Sequence, residues 1–124
     1  MKEVLCVFLA GGVGSVLRYG VQLLMHERIH PYHFPWATLT ANVAGCFLIG
    51  LFYALSARLH LSAEVRLMLT TGLCGGFTTF STFCNENLTL LRQGYTGTFV
   101  LYTGLSLALG IGAVWAGSTI LMKN

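Results

Sequence analysis

Charged residues are scarce in this 124-residue chain, and their scarcity limits the solvent in which the fold can be stable. Asp, Glu, Lys and Arg together make up 9% of the residues, whereas 55% of the residues are hydrophobic. A soluble globular domain carries about 25% charged residues. The composition therefore excludes an ordinary soluble domain and predicts an integral membrane protein surrounded by the lipid bilayer.

The residues that usually carry enzyme or metal chemistry are also few. There are four acidic residues in all, and the sequence has no paired carboxylates, no nucleophile beside a base and no GxxxxGK[ST] phosphate-binding motif. We therefore expect neither an enzyme nor a nucleic-acid-binding protein. The histidines His26, His30 and His33 share one segment, which we interpret as a solvated interfacial loop because only Glu27 could join them as a metal ligand.

Paired cysteines are absent as well. The four cysteines show no CxxC spacing and all lie inside apolar windows; they are Cys6, Cys46, Cys74 and Cys84. We interpret them as small apolar packing residues and not as disulfides or metal ligands.

Long apolar windows fill most of the chain. Four windows of more than 20 residues contain at most one charged residue each. A helix needs about 20 apolar residues to cross the hydrocarbon core. We therefore predict an all-α integral membrane protein, a single domain over residues 1–124, with transmembrane helices at about 4–25, 34–57, 67–91 and 96–122.

The positive charges hardly favour one orientation in the membrane. With four helices both termini lie on one side, which has Lys2, Arg58, Arg66 and Lys123; the other side has Arg28 and Arg92, with Arg18 near it. Orientation follows the excess of Lys and Arg in short loops. A four-to-three split permits insertion in both directions, as an antiparallel dimer requires, although one extra charge could also suffice to select one direction.

Small residues recur at helix-packing spacing in the second and fourth predicted helices. They are Ala37, Ala41 and Gly45, and Ala108, Gly112 and Ala116. In lipid, such stripes let helix backbones approach closely. They favour self-association, but packing within one subunit explains either stripe equally well.

The third predicted helix contains an unusual stretch, GGFTTFSTF, at residues 75–83. Gly72, Gly75 and Gly76 weaken a helix interior, and hydroxyl residues follow at once. Backbone groups freed by unwinding must find partners in the protein, because hydrocarbon offers none. We predict a broken helix around residues 75–79 whose free carbonyls face an interior site. The alternative is an unbroken helix whose glycines admit a neighbouring helix.

Two phenylalanines follow the predicted break. Phe80 and Phe83 are spaced i, i+3, so they lie on one face of the resumed helix, beside a polar face with Thr79, Thr82 and Glu86. The edge of an aromatic ring is positively polarised and can attract a small anion. On spacing alone, however, packing or lipid contact explains the pair better.

Three motifs together resemble one known family. The run TTGLCGGFTTFSTF at residues 70–83, with GGVGSVLRY in the first helix and TLTANVAG in the second, closely resembles the Fluc (CrcB) family of fluoride channels over essentially the whole chain. The resemblance implies a dual-topology, antiparallel homodimer in the bacterial inner membrane, with two narrow pores along its interface. The implied function is passive, selective export of fluoride from the cytoplasm, which lowers fluoride toxicity.

The resemblance also implies which residues form the pore. Phe80 and Phe83 match the phenylalanines whose ring edges line the fluoride path, and Asn42 matches the pore asparagine, an amide donor. The matching hydroxyls of the polar track are Ser81 and Thr82, continued in the fourth helix by Tyr102 and Ser106.

Charged groups and a cation complete the implied site. Arg18 matches the arginine that follows the family's first-helix glycines. It could make a water-filled vestibule positive and so concentrate anions, but snorkelling to the nearby interface explains an arginine at this position equally well. Glu86 also matches a family position, and because its charge would repel an anion we expect it to bond neighbouring hydroxyls or to gate the vestibule. Gly75 and Thr78 match positions whose main-chain carbonyls, taken from both subunits, hold one structural sodium ion on the dimer axis. Carbonyl oxygens suit such a hard cation.

Two other functions are alternatives to that of a channel. A proton-coupled small multidrug transporter shares the small antiparallel plan, but it needs a carboxylate at the centre of the first helix. Here the charge inside that helix is Arg18, and Glu3 lies at its extreme end. An assembly subunit that conducts no ion is the third possibility.

Overall fold

The structure is a computed structural model that describes residues 1–25 and 34–120, which are helical without β-strands. Helix α1 spans Lys2–Met25 and α2 spans Trp36–Leu59. The next elements are α3 (Ala63–Leu67), a π-helical segment (Met68–Cys74), α4 (Gly75–Phe77) and α5 (Phe80–Arg92), which we together call the broken helix. Helix α6 spans Thr96–Thr119. The loop predicted around His26, His30 and His33, with Arg28, lies outside the described residues, as does Lys123.

Three of the described helices, α1, α2 and α6, are long and apolar enough to cross a membrane. The predicted span over 67–91 is not a single helix, because a break divides it. Large apolar side chains are exposed along the outer faces of α1 and α6, among them Phe8, Leu24, Ile111 and Trp115. Such faces require a nonaqueous neighbour, so the chain is a membrane protein.

The break lies at Thr78 and Thr79. Both residues are extended, with φ −90° and ψ 161° at Thr78 and φ −153° and ψ 122° at Thr79. The predicted interruption around residues 75–79 is therefore present, but the glycines do not cause it by unwinding. Gly75 is helical, with φ −62° and ψ −38°.

The glycines of the broken helix instead permit close contact with α1. A Cβ at Gly76 would collide with the carbonyl of Gly11, and one at Gly72 would lie 2.8 Å from the Cβ of Ala10. On the other side of this contact, a Cβ at Gly14 would collide with the carbonyl of Leu73. Helix α1 therefore packs backbone to backbone on the π-helical segment and α4.

Helices α2 and α6 form the most extensive helix pair in the described part of the chain. Gly50 of α2 faces the carbonyl of Val114, and Gly117 of α6 faces the carbonyl of Phe47. Because no Cβ intervenes, the two backbones approach closely.

The two predicted small-residue stripes differ in environment. In α2, Ala41 and Gly45 are buried within the chain, and Gly45 lies against the side chain of Thr78. In α6, Ala108 and Gly112 are exposed, and nothing lies within 4 Å of a Cβ built at Gly112. The first stripe thus packs within the subunit, while a role of either stripe in self-association stays a prediction.

All four cysteines are free, so the prediction that they form no disulfide agrees with the structure. Cys74 is buried and Cys84 is exposed.

Candidate functional site

The candidate site lies along the seam where α2 runs antiparallel to the broken helix. Three contacts define this alignment: Thr38 with Glu86, Asn42 with Thr79, and Gly45 with Thr78. Residue numbers rise along α2 as they fall along the broken helix. The break is therefore held against the N-terminal half of α2.

Asn42 binds the break at its extended residue. Its Nδ2 donates to the carbonyl oxygen of Thr79 at 3.1 Å, and its Oδ1 accepts from the amide of the same residue at 2.8 Å. One side chain thus satisfies both backbone groups of Thr79, which hydrocarbon could not do. A side-chain amide has two N–H donors, so one N–H of Asn42 remains for another acceptor.

Two carbonyls lose their usual helical donors at the break. In a continuous helix the amide of Thr79 would donate to Gly75 and the amide of Thr82 to Thr78. Here the Thr79 amide donates to Asn42, and the Thr82 amide donates to Thr79 Oγ1 at 3.2 Å, capping α5. The carbonyls of Gly75 and Thr78 are therefore deprived of these partners.

A third carbonyl at the break is satisfied from α1. The Gly76 oxygen accepts from Ser15 Oγ and from Arg18 Nε, each at 3.4 Å. Arg18 thereby lies at the end of the interruption and not at the free surface of the helix. It also lines a cavity of about 10 Å³ together with Gln22, Ala37, Thr38, Thr79 and Thr82.

An open groove of about 300 Å³ lies beside the break. It is lined by Asn42, Gly45, Cys46, Ile49, Cys74, Gly75, Thr78, Thr79, Phe80, Phe83, Ser106 and Leu107. The walls are apolar except for the Asn42 amide, the Ser106 hydroxyl and the groups of the break. This is the composition of a site that strips water from a small ligand and replaces it with a few fixed donors.

The two phenylalanines of the groove form a pair. Their ring centroids are 5.9 Å apart and the ring planes are inclined by 34°. Phe83 also packs on Tyr102, with centroids 5.0 Å apart, and is anchored in the core. Phe80 is different, because 77% of its side-chain surface is exposed in the single chain.

The hydroxyls predicted for the polar track occupy separate positions. Ser106 lines the groove, and its Oγ is buried without a hydrogen-bond partner among the described residues. Thr82 Oγ1 accepts from Thr79 Oγ1 at 3.2 Å and faces the small cavity that contains Arg18. Ser81 is exposed, with its hydroxyl 3.4 Å from that of Thr79.

Glu86 and Tyr102 lie behind the groove, in the core between α2, α5 and α6. The Tyr102 hydroxyl donates to Glu86 Oε1 at 2.8 Å, and the Thr38 hydroxyl donates to Oε2 at 2.9 Å. Tyr102 is completely buried and is not part of the groove lining. Its single O–H donor is therefore occupied by the carboxylate.

The structure brings together a subset of the predicted site residues. The groove unites Asn42, Phe80, Phe83, Ser106, Gly75 and Thr78, while Arg18 and Thr82 share the small cavity. Sequence reasoning missed Thr38 and Ser15, which hold Glu86 and Gly76. Thr38 precedes Asn42 by one helical turn on the same face, a spacing that could have identified it.

Comparisons with known proteins agree on one family. The family model described as CrcB-like protein, camphor resistance (CrcB), matches residues 5–118. A protein of Bacteroides fragilis named fluoride-specific ion channel FluC is 50% identical over 119 residues, which cover 94% of each sequence. A Phocaeicola vulgatus protein of the same name is 51% identical over 117 residues, covering 94% of this chain and 96% of the relative. A third, from Flavobacterium psychrophilum, is 45% identical over 121 residues and 97% of each sequence.

Proposed function

Because this chain belongs to the CrcB family, whose curated relatives carry the name of a fluoride-specific ion channel, we propose that it conducts fluoride passively across the membrane. These relatives are channels and not enzymes. The observation that carries the proposal is the groove at the break, where an amide, a hydroxyl without a partner and two aromatic rings surround one open space.

The donors of the groove suit a small, strongly hydrated anion. A fluoride pore must replace water while keeping each site weak enough for the ion to leave. The free N–H of Asn42 and the O–H of Ser106 are neutral donors, and the ring edges of Phe80 and Phe83 add a weak positive field. No fixed positive charge lies in the groove lining to trap the ion. In the complete pore we expect larger halides to be rejected by width as well as by this chemistry.

The small cavity at the end of the groove serves as a vestibule in this proposal. Arg18 provides a positive charge that raises the local concentration of anions. The Thr82 hydroxyl accepts from Thr79 and keeps its own O–H as a donor between that charge and the groove. The carboxylate of Glu86 would repel an anion, but its two oxygens receive hydrogen bonds from Thr38 and Tyr102, which point it into the core. Tyr102 therefore acts through Glu86 and not by contact with the ion.

A second copy of the chain completes the path. The groove is open on one side, and Phe80 projects from the surface of the single chain. In an antiparallel homodimer the exposed Phe80 of each subunit reaches the groove of its partner, which creates two pores. The near balance of Lys and Arg between the two sides supports insertion in both orientations.

The carbonyls of Gly75 and Thr78 fit a structural sodium ion at the interface of this dimer. Both have lost their helical amide donors, and both residues line the open groove. Oxygen atoms without donors are the ligands that a hard cation prefers. Bound there, sodium would supply a positive charge that the carbonyls of both subunits could share. In the bacterial inner membrane such a channel would let fluoride leave the cytoplasm and so lower its toxicity.

The direct test is fluoride efflux from proteoliposomes, followed with a fluoride electrode, with chloride as the parallel ion. Phe80→Ile removes the ring edge, and Phe8→Ile is the matched control because Phe8 is 72% exposed on α1, away from the groove. We expect rapid fluoride efflux, slow chloride efflux, and a loss of fluoride efflux in Phe80→Ile only. Absence of fluoride efflux from a folded, reconstituted wild-type protein would contradict the proposal.

A further inference from the structure

A second cavity lies at the opposite end of the seam between α2 and the broken helix. Its volume is about 720 Å³, and it is lined by Tyr53, Ser56, Ala57, His60, Leu61, Arg66, Leu67 and Thr70. Unlike the groove, it combines several polar groups with an arginine. No carboxylate is among these lining residues.

The two cavities follow one face of α2. The groove uses Asn42, Gly45, Cys46 and Ile49, and the second cavity continues with Tyr53, Ser56 and Ala57, and with His60 just after the helix end. The helical positions recur every three or four residues, which places them on a single stripe of α2. Ile49 and Tyr53 are four residues apart, so about 6 Å of helix axis separates the two cavities.

The broken helix shows the same continuity from its own side. Its groove residues Cys74 and Gly75 are followed, in the direction of the second cavity, by Thr70 and then Arg66. Because α2 runs antiparallel to the broken helix, falling residue numbers along the broken helix correspond to rising residue numbers along α2, as the contact of Gly45 with Thr78 illustrates. One seam therefore connects the small cavity at Arg18, the groove and the second cavity.

The two ends of the seam are chemically alike. At one end Arg18 lies with the hydroxyls of Thr38 and Thr82. At the other, Arg66 lies with the phenol of Tyr53 and the imidazole of His60. An apolar passage between two cationic ends is the electrostatic profile expected of an anion path, since each end concentrates anions from its own side of the membrane.

We propose that Tyr53, His60 and Arg66 form a second anion-binding site, which serves as the other mouth of the path. This proposal rests on the proposed function and adds to it the end of the path opposite Arg18. The guanidinium of Arg66 supplies the charge, and the side chains of Tyr53 and His60 supply donors that begin to replace the water around a small halide. The apolar groove follows about one turn further in.

The first test removes the charge. Arg66→Gln is compared with Arg58→Gln in the proteoliposome efflux assay at low and high ionic strength. Arg58 is on the same side of the membrane as Arg66 but does not line the cavity. Both variants remove one positive charge from that side, so they change the balance of Lys and Arg that sets the orientation in the membrane equally. We expect fluoride efflux to fall about three- to tenfold in Arg66→Gln at low salt. The difference should shrink at high salt, where exposed charges are screened.

The second test places a charge of chosen sign in the cavity. Ala57 lines the cavity and is replaced by cysteine in the test variant, Ala57→Cys. Ala63, an exposed residue at the start of α3 that does not line the cavity, is replaced in the matched control, Ala63→Cys. Each is treated with an anionic and with a cationic methanethiosulfonate, and labelling is measured by mass. Unsubstituted protein reports any effect of the native thiols. We expect the anionic group at residue 57 to reduce fluoride efflux severalfold and the cationic group to reduce it less.

The outcomes separate this proposal from the proposed function. Suppose that the wild-type protein conducts fluoride. If fluoride efflux is then the same in Arg66→Gln and Arg58→Gln, or if efflux by labelled Ala57→Cys does not depend on the sign of the added charge, the proposed second mouth is wrong and the proposed channel function is unaffected. Failure of water-soluble reagents to label Ala57→Cys also overturns it, because a mouth must be open to water. A wild-type protein that conducts no fluoride overturns the proposed function itself.

Discussion

Asn42 holds both backbone groups of Thr79, donating to its carbonyl oxygen at 3.1 Å and accepting from its amide at 2.8 Å. A residue of α2 thus satisfies backbone groups that the broken helix cannot satisfy itself. The same side chain lines the groove and has a second N–H, so under the proposed function the group that supports the break also offers a donor to the ion. We therefore expect substitutions of this residue to change both stability and conduction.

Replacing Asn42 should affect both properties. In Asn42→Asp, an oxygen replaces Nδ2 and faces the Thr79 carbonyl, so one hydrogen bond becomes a repulsion. We expect a loss of about 1–3 kcal/mol of stability and a loss of fluoride efflux. The matched control is Asn85→Asp, at an exposed position of α5. Thermal unfolding in detergent measures the stability, and the efflux assay measures conduction. If Asn42→Asp were as stable as Asn85→Asp, the hydrogen bonds between Asn42 and Thr79 would not stabilise the break.

Removing the Tyr102 hydroxyl should leave a partly buried carboxylate oxygen without its donor. Tyr102→Phe keeps the ring packing on Phe83 and removes the hydroxyl that donates to Glu86. We expect about 1–2 kcal/mol of destabilisation, whereas Tyr19→Phe, at an exposed site on α1, should be neutral. Glu86→Gln in the Tyr102→Phe background should show a smaller further loss than in wild type, since the partner is already gone. Additive effects in this double-mutant cycle would argue against a coupled pair.

The contact of α1 with the broken helix should depend on one glycine and not on its neighbour. A Cβ at Gly14 would collide with the Leu73 carbonyl, while nothing lies within 4 Å of a Cβ at Gly12. We expect Gly14→Ala to cost about 1–3 kcal/mol and Gly12→Ala to stabilise the helix by up to about 1 kcal/mol. Thermal unfolding of the two variants gives the comparison. Equal unfolding temperatures of Gly14→Ala and Gly12→Ala would mean that α1 does not pack on the broken helix through Gly14.

Sodium should stabilise the dimer if the carbonyls of Gly75 and Thr78 bind it. Above the dissociation constant, each tenfold rise in sodium should add about 1.4 kcal/mol to the stability of the bound form. The measurement is thermal unfolding and cross-linking of the dimer in sodium chloride and in N-methyl-D-glucamine chloride at equal ionic strength. Identical unfolding temperatures in the two salts would exclude sodium as a structural ion at this site.

Much of the architecture could be predicted from periodicity and composition. The absence of charge over long windows located three spanning helices to within a few residues, because the bilayer imposes a minimum apolar length. The break was predicted around residues 75–79, and it lies at Thr78 and Thr79, the end of that range. Glycine propensity describes an isolated helix, whereas here α1 packs on Gly72 and Gly76, and the segment stays helical as far as Phe77.

The candidate site was less accessible to sequence reasoning. Residues in motifs, such as Asn42 and Phe80, could be named from their resemblance to a family. The direction of Tyr102 could not be predicted, because positions in a uniformly apolar helix such as α6 carry little information about which side faces the core. The Tyr102 hydroxyl points inward because it donates to Glu86 of α5, and only the fold brings these two residues together.

The π-helical run Met68–Cys74 gives the chain a limited tolerance of changes in length. A π turn holds an extra residue relative to an α turn. Deleting one residue there would therefore convert a π turn to an α turn and leave α3 and α4 in register, so Gly76 would still face Gly11 and Thr79 would still face Asn42. A further inserted residue would instead rotate everything after it by about 100° around the helix axis. Within this seven-residue run, single-residue deletions should therefore be tolerated better than single-residue insertions.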